Sequence, residues 1–303
     1  MDKENFKKAL ACGLGRCYVA LRDCADKAPY RELLLDCCLN NPCFDTQCEG
    51  TRAEYLYHLI KLYDDDGYFL SPITEKFNNP DEEYGWDFEH LCDLICEFAK
   101  DGNSQARGAL EAMYGRLYTI LWDKRDIDWY DFQRDNFERV CVNLVGIYGN
   151  GAFVRIAEDM DKLFIHNDNY SDLDFEFFYS LNEVKKPVER DGKTRLVREY
   201  AATKKVYDVD GLVKKLDGIV IDKDDESGWH EVVIDILNAY DGGAEIPKCA
   251  LEFIYNNSLC SCCRYEAVKA LNTRGWLCDD MLTECEFDSN GDVRKFIESI
   301  KSR

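Results

Sequence analysis

The chain has 303 residues, enough for two ordinary domains or one elongated repeat array, because single cores stop growing near ~250 to 300 residues. At 46% hydrophobic and 13% aromatic, with six prolines, it is not a disordered or collagen-like chain, which could not bury enough apolar surface to offset chain entropy. A net charge of -21 repels phosphate backbones at long range and disfavours generic coating of DNA or RNA.

The opening Met1-Asp2-Lys3-Glu4-Asn5 is charged, with no apolar segment of signal-peptide type behind it, and no run approaches the roughly 18 uncharged apolar residues of a membrane helix. A cytoplasmic location without a membrane partner is expected. Gly13-Leu14-Gly15-Arg16-Cys17 has no strand-like segment before it and is not read as a phosphate-cradling loop. The sixteen cysteines fall largely inside helical patterns and are read as reduced thiols used as small core residues.

Two cysteine groups are dense: Cys37, Cys38, Cys43 and Cys48 within twelve residues, and Cys260, Cys262 and Cys263 within four. Neither reads as the two separated CxxC-like pairs of a zinc site, and the second, even with Cys249 or Cys278 added, is read as the small-residue opening of a helix. The four histidines, His58, His90, His166 and His230, are scattered without HxH or HExxH spacing and are read as partly exposed. None lies near a cysteine motif that would need a base. Asp64-Asp65-Asp66-Gly67 and Asp288-Ser289-Asn290-Gly291-Asp292 fail the EF-hand pattern and read as solvated turns and caps. No catalytic residue, metal or cofactor is therefore expected.

Apolar residues recur at i, i+3, i+4 and i+7, one face of an amphipathic helix. In chain order the pattern runs through Leu56–Tyr63, Leu91–Phe98, Leu110–Leu121, Phe137–Tyr148, Phe153–Met160 and Val233–Tyr240. Between these segments lie breaks such as Asn40-Asn41-Pro42, Asp101-Gly102-Asn103-Ser104, Gly149-Asn150-Gly151 and Ser289-Asn290-Gly291-Asp292. There Gly ends one helix and Ser, Asn or Asp caps the next, so each break is a helix-turn-helix joint.

Trp122, Trp129 and Tyr130, with Phe132, surround the charged run Asp123–Asp128 in what reads as a loop between helix pairs. Such rings either plug gaps between repeats or anchor a partner. Further on, Lys185 to Lys215 holds ten Lys or Arg against five Asp or Glu. Within it Lys185, Lys186, Arg190, Lys193, Arg195, Arg198, Lys204 and Lys205 read either as a phosphate-contacting patch or as internal partners for the acidic body. These eight residues and the three rings Trp122, Trp129 and Tyr130 are the partner-binding candidates. Arg190-Asp191-Gly192-Lys193 has the form of a hairpin turn and Gly218-Ile219-Val220-Ile221 is β-prone, so a small irregular or β-hairpin insertion is expected there.

Several helices open alike: Ala106-Arg107-Gly108-Ala109-Leu110, Val154-Arg155-Ile156-Ala157, Cys263-Arg264-Tyr265-Glu266-Ala267-Val268 and Asp292-Val293-Arg294-Lys295-Phe296-Ile297. A small or apolar residue, then Arg, then a core Ala or aliphatic residue resembles the second helix of HEAT-type repeats, most specifically at Arg264–Leu271, with the next such helix about thirty residues later at Asp292. The resemblance implies an all-α fold: a right-handed α-solenoid of HEAT-like helix pairs over 1–184 and 225–303, separated by the basic insertion or irregular segment 185–224. It further implies that Arg107, Arg155, Arg264 and Arg294 bond within or between repeats. The expected function is a non-enzymatic protein–protein interaction scaffold in a bacterial cytoplasm, in its sharper form an acidic antagonist of a basic partner such as a nuclease or toxin. The rival is a nucleic-acid-binding HEAT-like protein such as a DNA glycosylase, reached by fold analogy alone.

Overall fold

Capping residues set the helix boundaries along this chain. The computed structural model describes residues 1–44, 50–79, 86–123, 127–166, 207–221 and 228–302. Helix α1 (Lys3–Cys12) begins at Asp2, whose carboxylate accepts from the Asn5 N–H at 2.8 Å. It ends at Gly13, whose φ of 72° lets its N–H turn back to the Leu10 carbonyl at 3.0 Å. Helix α2 (Arg16–Asp23) follows directly, and α3 (Ala28–Leu39) carries Pro29 in its first turn, where a missing N–H costs nothing. Helix α4 (Ala53–Ile60) tightens into a 3-10 turn at Lys61–Tyr63, and α5 (Asp66–Asn78) comes next.

The longer helices are α6 (Trp86–Lys100), α7 (Ser104–Asp123), α8 (Ile127–Tyr148) and α9 (Asn150–His166). The C-terminal series is α10 (Val209–Asp217), α11 (Gly228–Asp241), α12 (Lys248–Asn257), α13 (Ser261–Thr273), α14 (Asp279–Cys285) and α15 (Gly291–Lys301). Every regular element among the described residues is helical, an all-α arrangement. None of these helices is long and apolar enough to cross a membrane.

The insertion expected at 185–224 differs where it is described. Val209–Asp217 is a helix, because the Asp208 carboxylate caps the Gly211 N–H at 3.0 Å and Leu212 and Leu216 supply one buried stripe. Gly218–Ile221 forms no strand among the described residues, and Val220 is exposed. The turn Arg190–Lys193 lies outside the described residues.

The chain divides into two compact units. One combines Met1–Phe69 with Ala202–Arg303; the other is Leu70–Ala201. In the first, consecutive helices pack as the pairs α10/α11, α12/α13 and α14/α15, with α10 on α12, α11 on α13 and α13 on α15. Helix α1 lies on α3 and α12, and α2 on α4 and α14. The interior holds Phe6, Leu10, Trp229, Ile254, Tyr255 and Leu271, all essentially out of water. In the second unit α6 packs on α7 and α8, and α9 covers α8, burying the stripe Leu91, Leu94, Ile95 and Phe98 against Leu110, Leu117, Phe137 and Leu144. Arg139 is held there by Asp93 and, at 2.7 Å, by Glu89.

Candidate functional site

The end of the chain is locked onto its beginning by a buried charge network within the first unit. Arg264 and Asp288 are both fully buried, and the guanidinium grips the carboxylate with two parallel bonds of 3.0 and 2.9 Å. Arg264 also donates to Ser289 Oγ at 3.1 Å, while Asp288 accepts from the Asn290 N–H at 2.9 Å. The Ser289 N–H reaches back to the Gly13 carbonyl at 2.8 Å. Buried Arg52 donates to the carbonyls of Ala11 at 2.5 Å and Leu259 at 3.1 Å. Asp288 is thus not part of a solvated turn, contrary to the sequence expectation for Asp288–Asp292, whereas Asn290 is the N-cap of α15, accepting from Asp292 N–H at 2.8 Å. Asp65 of the other acidic run pairs with Arg31 and caps the Tyr68 N–H at 3.3 Å.

Above this network opens a cleft of about 1210 Å³. Its floor is the Tyr18–Phe287 stack, with ring centroids 4.1 Å apart, and the buried Tyr55, whose hydroxyl donates to the Leu14 carbonyl at 2.9 Å. Exposed His58 and Lys61 come from α4 and its 3-10 extension, and Lys295 and Glu298 from α15. Two ion pairs cross its edges, Arg294 with Glu54 at 2.5 Å and Lys301 with Glu286. Glu54 and Glu286 are therefore already engaged, but in partly exposed pairs that contribute at most about 1 kcal/mol each.

All four arginines of the repeated motif bond within the chain. Arg107 donates to the Ala99 carbonyl at 2.9 Å, Arg155 meets Glu111 at 3.0 Å over the Tyr114 ring, Arg264 holds Asp288, and Arg294 donates to the Asp288 and Ser289 carbonyls at 2.7 and 3.1 Å.

Burial keeps seven of the thiols protonated at neutral pH. Burial raises the pKa of Cys12, Cys17, Cys38, Cys92 and Cys141, and pushes Cys96 and Cys285 up to about 12. The unfolded chain releases these protons from about pH 9 while the folded chain keeps them, so stability should hold below pH 9 and fall as the pH rises toward 12. Urea midpoints measured across that range check the sign. A thiol reagent at neutral pH should label exposed Cys249, Cys262 and Cys278 long before the buried set, as mass spectrometry of timed aliquots would read. Uniform labelling of the folded chain would contradict the packing.

The proposed anchors separate. Trp122 lies on the last turn of α7, half-buried, its ring 6.0 Å from Tyr118. The backbone of Trp129 and Tyr130 belongs to α8 and not to a loop, and their side chains lie outside the described residues. Lys185, Lys186, Arg190, Lys193, Arg195, Arg198, Lys204 and Lys205 are also outside them.

Two histidines depart from the expectation. His90 is fully buried in α6. His230 Nε2 lies 3.4 Å from Cys263 Sγ, so an imidazole does sit beside a cysteine motif; the sequence conceals this because 33 residues separate them. The cleft has no local sign in the sequence, since its walls come from residues 18–62 and 286–302. No protein-family model matches this chain, and neither a curated protein nor a solved structure does.

Proposed function

We propose that this protein is a non-enzymatic, HEAT-like interaction scaffold that captures a basic protein partner in the cleft between α4 and α15, acting as an acidic antagonist of that partner. The observation that carries the reading is the cleft itself: open, aromatic-floored, and rimmed by partly exposed ion pairs whose carboxylates a partner's Lys or Arg can take over. The net charge of -21 draws such a partner from a distance and accelerates encounter. Large exposed apolar side chains among the described residues, Val142, Tyr148, Val154, Val220 and Ile234 with Met1, are scattered singly and form no rival apolar patch there. The pairs α10/α11, α12/α13 and α14/α15, stacked first helix on first or second on second, support the HEAT-like reading of the C-terminal region.

Gentle purification of the tagged chain from its native cells, at low and at high salt, tests this. The expected eluate contains a basic protein in stoichiometric amount, without nucleic acid, released as salt screens the rim charges. Nucleic acid retained at low salt and released at high salt would instead identify a nucleic-acid-binding protein.

A further inference from the structure

Three ligand-type side chains converge where α11 meets the start of α13. His230 lies in the first turn of α11, Cys260 is the N-cap of α13, and Cys263 follows one turn later. The imidazole Nε2 is 3.4 Å from Cys263 Sγ, and the ligand atoms of all three lie within 4.8 Å of one another. Around a tetrahedral zinc ion, with bonds of about 2.3 Å to sulfur and about 2.0 Å to nitrogen, a sulfur–nitrogen edge spans about 3.5 Å and a sulfur–sulfur edge about 3.8 Å. The His230–Cys263 distance is that of a sulfur–nitrogen edge, and Cys260 Sγ lies within 4.8 Å of both other atoms.

The surroundings favour the same occupant. Cys260 and Cys263 are buried, 3% and 7% exposed, while His230 is half-buried. The Phe44 ring stands edge-on to the imidazole at 5.4 Å and the fully buried Trp229 ring lies 5.1 Å away, fixing its orientation. Cys260-Ser261-Cys262-Cys263 contains a CxxC pair, and the first turn of a helix brings both sulfurs to one side, where the N–H dipoles stabilise thiolate. Ser258 Oγ donates to the Cys260 carbonyl at 3.0 Å and steadies the entry to that turn. Two thiolates and a neutral imidazole balance a divalent cation. Among the described residues this is the place where three such donors meet.

We propose that His230, Cys260 and Cys263 hold a zinc ion in a structural centre that clamps α11 to the start of α13, with the fourth position left to a ligand other than these three. Loading exchanges two S–H bonds for two Zn–S bonds and sends two protons to the buffer, so affinity falls on acidification. The centre is independent of the cleft reading, and its test involves no partner.

The test uses the full chain. Metal analysis of the purified protein should find one zinc per chain. After chelation, added Co²⁺ should give tetrahedral ligand-field absorption together with thiolate-to-cobalt charge transfer. Cys260→Ser, Cys263→Ser and His230→Gln should each weaken Zn²⁺ binding, read against a chromogenic chelator, by more than the about 10–100-fold typical of changes to outer-shell partners. Cys249→Ser and Cys278→Ser should leave it unchanged. Where a variant loses its helical circular dichroism, the wild-type cobalt spectrum decides. No metal uptake, a cobalt spectrum without thiolate bands, or full affinity in Cys260→Ser and Cys263→Ser would overturn the proposal.

Discussion

Asp288→Ala is expected to destabilise the protein by about 3–5 kcal/mol, because it leaves the fully buried Arg264 guanidinium without its counter-charge. Asp288 also accepts from the Asn290 N–H, which is the N-cap of α15, so the same substitution loosens the start of the last helix. The midpoint of urea unfolding should drop accordingly, with little change in slope. Replacing both partners by apolar side chains of similar volume, Arg264→Met with Asp288→Leu, should recover much of the loss, since the desolvation of two charges is then no longer required. Asp65→Ala, which removes an exposed partner of Arg31, should scarcely move the midpoint. An Asp288→Ala midpoint equal to wild type would mean that the Arg264–Asp288 pair does not hold the turn between α14 and α15 onto α13.

Gly15→Ala is the second large effect. A methyl group at Gly15 would overlap the Glu284 carbonyl oxygen and come within 2.8 Å of the Phe287 carbonyl carbon, both backbone atoms that cannot swing aside. Helix α2 would have to withdraw from α14, at a cost of about 3 kcal/mol. Gly108, on the exposed face of α7, is the counter-example: a methyl there meets nothing within 4 Å. Gly108→Ala should therefore raise stability by about 0.5–1 kcal/mol through helix propensity alone. Calorimetric midpoints of the two variants, moving in opposite directions, check both statements.

These two sites show what the sequence makes legible. The stripes through Leu91–Phe98 and Leu110–Leu121 read correctly as buried helix faces because helical periodicity is local. The break at Ser289–Asp292 likewise read as a joint, since Asn290 caps only its own helix. Asp288, one residue earlier, looked solvated because its burial depends on Arg264, 24 residues away. Gly13 and Gly15 looked like a stray glycine fragment because the segment that presses on them, around Glu284 to Ser289, lies near the other end of the chain. The convergence of His230 with Cys263 was hidden for the same reason, as were the cleft walls at Glu54 and Arg294. Helix α10 escaped notice because Lys214 and Lys215 gave it the look of a charged irregular stretch, although Leu212 and Leu216 already had helical spacing.

Partner capture with reversed rim charges tests the central claim most directly. Glu54 and Glu298 are exposed on the cleft walls, and the variant carrying Glu54→Lys and Glu298→Lys should capture the basic partner at least about 10-fold more weakly, a loss of about 1.4 kcal/mol. The variant carrying Asp135→Lys and Glu158→Lys makes the same change in net charge at exposed positions of the other unit. It should capture the partner nearly as well as wild type. Equal capture by both variants and wild type, or equal loss in both variants, would contradict a binding site in the cleft.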